Sequence, residues 1–257
     1  MKNILYCILL ICFFPICSLA QARKYERNTL GWYSVFTTIK LNDKWSGHAE
    51  FQYRRVALLS KAQQNLLRVG INFQPNKKLL FRIGYANAET FSYGEIPLNS
   101  MGKNFSENRI FEMVTLNDKL NRIELSHRFM LEQRFVAKYS KPELNKEDQV
   151  SFVNRARYMF RMQIPLKTKV TEKNSPYLAF YDELFIGFGK NVGENIFDQN
   201  RLGVLLGYKF NNNFKIEAGY LNQLLQLGRE VENKNVFQNN SGLLISTMLN
   251  FNMKKSD

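Results

Sequence analysis

The chain has 257 residues with 36 lysines and arginines against 22 aspartates and glutamates, a formal net charge of +14 at pH 7. Its three cysteines, Cys7, Cys12 and Cys17, all precede residue 20, so a chain cleaved there carries no disulfide, thiolate nucleophile or cysteine metal site. Past that point no apolar run approaches the roughly 20 residues of a membrane helix, although a barrel strand needs only about 9–11 residues with half of them facing inward.

Residues 1–20 read as a secretory signal, with Lys2, an apolar stretch from Ile4 to Pro15, and the small-residue site Ser18-Leu19-Ala20 before Gln21. The charged stretch Arg23-Lys24-Tyr25-Glu26-Arg27 follows at once, which disfavours a membrane helix. Phe14-Pro15-Ile16 before Cys17 is too bulky for a lipoprotein cleavage box. The mature chain, expected as one domain over 21–257, keeps 35 basic and 22 acidic side chains, a formal +13. An exported protein has no call to bind nucleic acid, so that charge is expected inside a barrel or against anionic lipid and lipopolysaccharide.

Eleven segments of alternating character follow, near 30–41, 44–56, 63–74, 78–89, 108–117, 121–136, 150–165, 177–188, 201–210, 213–225 and 242–252. In the second, Trp45, Ala49, Phe51 and Tyr53 share one face while Ser46, His48, Glu50, Gln52 and Arg54 share the other. The sixth sets Ile123, Leu125, Phe129, Leu131 and Phe135 against Arg122, Glu124, Ser126, Arg128, Glu132 and Arg134. The seventh sets Phe152, Tyr158, Phe160 and Ile164 against Arg155, Arg157, Arg161 and Gln163. The last offers Leu243, Ile245, Thr247, Leu249 and Phe251 on one face and resembles the aromatic-ended strand read by outer-membrane insertion machinery, although residues 252–257 extend beyond it.

This pattern predicts an all-β, antiparallel transmembrane barrel in the outer membrane. Tight turns at Asn42-Asp43, Pro75-Asn76-Lys77, Asn117-Asp118-Lys119 and Asn211-Asn212-Asn213 alternate with longer connections around 90–106, 137–149, 189–200 and 226–240. Because single-chain bacterial barrels use even strand numbers, about ten to twelve strands are expected, with twelve favoured. The turn alternation makes both the first and the last strand descend, which points to a miscounted strand near the start, either one missed or one segment that does not span. Trp32, Trp45, Phe73, Tyr85, Phe135, Tyr177, Phe188, Tyr208, Phe214 and Tyr220 near strand ends suit a membrane interface. A soluble periplasmic β-sandwich binding protein is the alternative fold, since one wet face produces the same alternation.

The expected lumen carries Glu50, Arg54, Arg68, Arg82, Glu124, Arg128, Glu132, Arg134, Arg155, Arg157, Arg161, Glu183, Lys215 and Glu217. Glu124 and Glu132 should meet arginines across the ladder. Such a lining serves either as a salt-bridge lattice in a structural barrel or as a narrow pore that favours small anions. A lipid- or lipopolysaccharide-modifying enzyme is the alternative activity. His48, beside Ser46 and Glu50, is its one inward histidine, His127 sharing the apolar face, and no catalytic role is assigned to it. No metal or cofactor is expected: two distant histidines do not make a zinc site, and Asp182-Glu183, Glu194 and Asp198 lack calcium-loop spacing. Gly187-Phe188-Gly189-Lys190 lacks the Gly-Lys-Ser/Thr of a phosphate loop.

The Trp32 strand, Lys44-Trp45-Ser46 leading into Glu50 and Arg54, Glu107-x-Arg109, and the Arg122–Arg134 ladder together resemble the bacterial family numbered 2490 among domains of unknown function, over roughly residues 30–252. The resemblance implies an outer-membrane β-barrel and carries no substrate or catalytic residue with it.

Overall fold

A computed structural model describes residues 23–167 and 173–253; the expected signal segment, residues 1–20 with the three cysteines, lies outside the described residues. Eleven strands form one sheet: β1 (Arg23–Lys40), β2 (Trp45–Val56), β3 (Lys61–Phe73), β4 (Leu79–Thr90), β5 (Phe105–Leu120), β6 (Ile123–Lys138), β7 (Gln149–Pro165), β8 (Ser175–Phe188), β9 (Phe197–Lys209), β10 (Phe214–Val231) and β11 (Lys234–Asn252). Successive strands are antiparallel, and the sheet closes into a barrel through a parallel seam between β1 and β11, from Arg23↔Asn235 to Lys40↔Asn252. One closed sheet replaces the sandwich alternative, which needs two packed sheets.

Every predicted segment is a strand, and the eleven fall within the expected ten to twelve, although not at the favoured even number of twelve. An odd number of up-and-down strands leaves the first and last pointing the same way. The parallel seam is that consequence, and the first strand does run the same way as the last. At this seam the backbones approach closely: a Cβ at Gly242 would run into the backbone of Leu30.

Two connections depart from expectation. The long connection at 226–240 is absent, because β10 and β11 continue to a two-residue turn at Glu232-Asn233 with φ of 54° and 56°. Such paired positive φ values match the twist of a hairpin. Asn117-Asp118-Lys119 lies inside β5, and the turn falls at Asn121-Arg122, where Asn121 takes φ 54°. Arg122 is therefore an exposed turn residue and not part of the lumen. Three other short turns share one device. Asn42 Oδ1 accepts the N–H groups of Lys44 (3.0 Å) and Trp45 (2.9 Å), Asn76 Oδ1 those of Lys78 (2.9 Å) and Leu79 (3.0 Å), and Asn211 Oδ1 that of Asn213 (2.8 Å).

Outside, Phe51, Leu67, Val69, Ile71, Ile83, Ile110, Phe129 and Leu206 form an apolar sleeve. Trp45, Phe73 and Phe81 pack in sequence near its short-turn edge, with centroids 4.8 and 6.4 Å apart. Trp32 and Tyr177, expected among the interface aromatics, instead point inward and are 4% exposed. Gly203 and Gly207 on β9 make room for the rings of Tyr181 and Tyr177 on β8, which lie where a Cβ would stand.

Loops 91–104, 139–148 and 189–196 crowd the opposite rim, and the first folds into the mouth. Tyr93 is buried, donating its hydroxyl to Gln238 Oε1 (2.8 Å) and accepting from Gln63 Nε2 (3.3 Å). The Glu26 carboxylate accepts the N–H groups of Glu95 (2.7 Å) and Ile96 (3.2 Å). Leu98 packs on the buried cluster around Leu30 and Trp32.

Candidate functional site

Alternation along each strand aims one set of side chains inward, and antiparallel pairing stacks charged residues of neighbouring strands at the same height. Glu132 on β6 is opposite Arg155 on β7 and is fully buried. Arg155 donates to its Oε2 through Nη2 (2.6 Å) and Nε (2.7 Å), and Arg157 Nη1 reaches Oε1 (2.8 Å). Arg68 (3.9 Å) and Arg109 (4.0 Å) complete a ring of four guanidinium groups around one carboxylate.

Similar pairs extend from this hub. Glu107 binds Arg109 (2.7 and 2.9 Å) and Arg134; Asp198 takes Arg155 Nη1 (2.6 Å) and lies 3.7 Å from Arg134. Glu183 accepts from Arg128 (2.8 Å) and Arg157 (2.7 Å). Glu50 takes Arg68 Nη1 on both oxygens (2.8 and 2.7 Å). Glu217 accepts from Arg161 and from the Tyr177 hydroxyl (2.7 Å). Glu124 departs from expectation: it is exposed near the short-turn rim and accepts from Gln163 Nε2 (2.8 Å) with no arginine in reach among the described residues.

Arginines outnumber these partners. Among the described residues Arg54, Arg82 and Arg201 have no carboxylate within ion-pair distance; Arg54 donates to Gln52 and Gln64, Arg82 to Asn72 Oδ1 (2.6 Å), and Arg201 to Gln199 Oε1 (3.2 Å). Aromatic rings hold the surplus charge in place. The guanidinium carbons of Arg54 and Arg201 lie 4.0 and 4.8 Å from the Trp32 ring, and those of Arg201 and Arg157 lie 4.5 and 4.4 Å from Phe185. Trp32 is fixed in turn by donating Nε1–H to Gln63 Oε1 (2.7 Å).

The belt divides the lumen into an upper chamber of about 430 Å³ beneath the long loops and a lower one of about 440 Å³ on the short-turn side. Arg54, Arg109 and Arg201 line both, so they form the waist. Of these, only Arg54 stands among the sequence-derived candidates. Arg109 and its partner Glu107 lie just before or at the predicted start of β5, and Arg201 opens a predicted strand that in fact begins at Phe197. Asp198 escapes parity altogether, because a bulge between Phe185 and Ile186 shifts the register there.

Among the described residues no hydrogen bond joins His48 to Ser46. His48 Nε2 lies 3.4 Å from Glu50 Oε2, but the Ser46 hydroxyl accepts from Asn72 Nδ2 (2.9 Å). His127 is on the outer face, bonded to the Tyr158 hydroxyl (2.9 Å). Asp182 points outward to Asn200 while Glu183 and Asp198 bind arginines inside, and no cluster of three metal-ligating side chains occurs among the described residues.

Comparison with known proteins adds three findings. No curated protein matches. Among solved structures, the NanC porin is similar at 11% identity and a TM-score of 0.45, covering 82% of this chain and 94% of that one. A family model described as a protein of unknown function, DUF2490, matches residues 29–234. The chain therefore belongs to the DUF2490 family.

Proposed function

We propose that the protein resides in the outer membrane as a non-enzymatic barrel whose lumen favours small anions. The observation that carries this reading is the waist, where Arg54 and Arg201 stand between the two chambers with no carboxylate within ion-pair distance among the described residues. Fixed positive charge at a constriction attracts anions and repels cations. In this reading the apolar sleeve faces outer-membrane lipid and lipopolysaccharide, the long loops face outward, and the strand ending at Phe251 is what insertion machinery receives.

Two measurements test it. The protein should fractionate with the outer membrane and show heat-dependent gel mobility; recovery from a soluble fraction without that shift would sink the location. In a planar bilayer under a KCl gradient, the reversal potential should have the sign for chloride, and Arg201→Glu should move it toward potassium. A folded protein that stays silent would leave a purely structural barrel.

A further inference from the structure

We propose that the lower chamber binds a small organic carboxylate with an apolar body, its head at Arg54 and Arg201 and its body along Met113, Met130 and Met159. The inference rests on the anion-favouring lumen and adds the class of anion.

Two features of the chamber call for such a ligand. A barrel interior is ordinarily polar, yet four of the chain's eight methionines, Met113, Met130, Met159 and Met248, line this one chamber. Met113 and Met130 are direct cross-strand partners, and Met159 is one diagonal step from Met130 through the Arg128↔Met159 pair. Flexible thioether side chains on a wall adapt to apolar guests of varied shape. The head-group end is equally specific. Glu183, directly opposite Arg201 in the ladder, gives its carboxylate to Arg128 and Arg157 instead. Arg201 is left with one hydrogen bond among the described residues, from Nε, out of the five N–H donors of a guanidinium. Arg54 stands beside it on the same indole. Planar forks of this kind match a carboxylate. A volume of about 440 Å³ lies at the lower end of ligand pockets, which suits a small molecule and excludes a polymer.

The chain has two tryptophans, so Trp45→Phe leaves Trp32, in the wall of this chamber, as the sole indole reporter. The folded single-tryptophan protein in neutral detergent is titrated with octanoate, octanamide and acetate. Octanoate should change the emission saturably, octanamide should not, and acetate should bind at least about tenfold more weakly because it buries fewer methylenes. Arg201→Gln should weaken octanoate about tenfold, and Met159→Ser should weaken octanoate while leaving acetate where it was. Heat-modifiable mobility checks the fold of each variant, and if Arg201→Gln does not fold, the Met159→Ser comparison decides. Equal affinity for acetate and octanoate, or no saturable response to octanoate, overturns the ligand while a chloride-signed reversal potential keeps the passage. Loss of both the response and the selectivity overturns both.

Discussion

Glu132→Gln removes one negative charge from the centre of the lattice without changing side-chain size. Arg155 and Arg157 then keep their positions at 2.6–2.8 Å from a neutral amide, and Arg68 and Arg109 lose the charge they face at 3.9 and 4.0 Å. Breaking a buried ion pair by deleting one partner costs about 3–5 kcal/mol, because the survivor stays desolvated and unpaired. With four guanidinium groups around a fully buried carboxylate, the upper end of that range applies. At a slope of about 1–3 kcal/mol per molar urea, the unfolding midpoint should fall by more than about 1 M. Urea unfolding in lipid vesicles, followed by loss of heat-modifiable mobility, measures it. Glu124→Gln is the internal control, since its exposed carboxylate accepts from Gln163 alone among the described residues, and its effect should stay within about 0.5 kcal/mol. A Glu132→Gln midpoint equal to the wild type would refute the claim that the hub holds the barrel together. Partial recovery in Glu132→Leu combined with Arg155→Met would identify uncompensated charge, and not lost volume, as the cause.

Cysteines at Val35 and Thr247, paired across the parallel seam, should crosslink on oxidation; no crosslink would count against an eleven-stranded closure. Burial pushes the Tyr93 phenol up to about 12, so it remains a donor to Gln238 at ordinary pH, and Tyr93→Phe should cost about 1 kcal/mol. If that bond pins loop 91–104 in the mouth, the same variant should raise conductance, and unchanged single-channel current would show that the loop does not restrict passage. Expression of the protein should leave lipid A and phospholipid profiles as they were; a change abolished by His48→Ala would revive the enzyme alternative.

The strand set was legible because its signal is local. Up to the register shift at Arg54/Arg55 the residues of β2 announce their faces through their neighbours two positions away, and Phe51 or Glu50 needs no knowledge of a distant strand to be sorted outward or inward. Turn positions were less legible where two turn signals stood close together. Asn117-Asp118 and Asn121 both suit a turn, and only the pairing of β5 with β6, which carries Asn117↔Ser126 and Leu120↔Ile123, chooses the second. The hairpin at Glu232-Asn233 lacks the glycine that usually marks such a turn, so the sequence around 226–240 looked like a loop.

The strand count carries a different lesson, because there a local observation met a general rule and the rule won wrongly. Alternating short and long connections already required the first strand to descend alongside the last, which only an odd barrel allows. The lumen charges show the limit of local reading. Alternation places Arg201 and Glu183 on the same inner face, and the ladder puts them opposite one another, yet the two groups stay beyond ion-pair distance. Glu183 turns to Arg128 and Arg157 because strand stagger brings β6 and β7 guanidinium groups within 2.8 Å of it. The arginine without a carboxylate is therefore selected by three-dimensional competition for acids. A substitution that alters the balance at the hub but not at Arg201 should change stability and leave ion selectivity in place, whereas Arg201→Gln, which sets no second carboxylate against Glu183, should do the reverse; that separation distinguishes the lattice that holds the barrel from the charge that faces its contents.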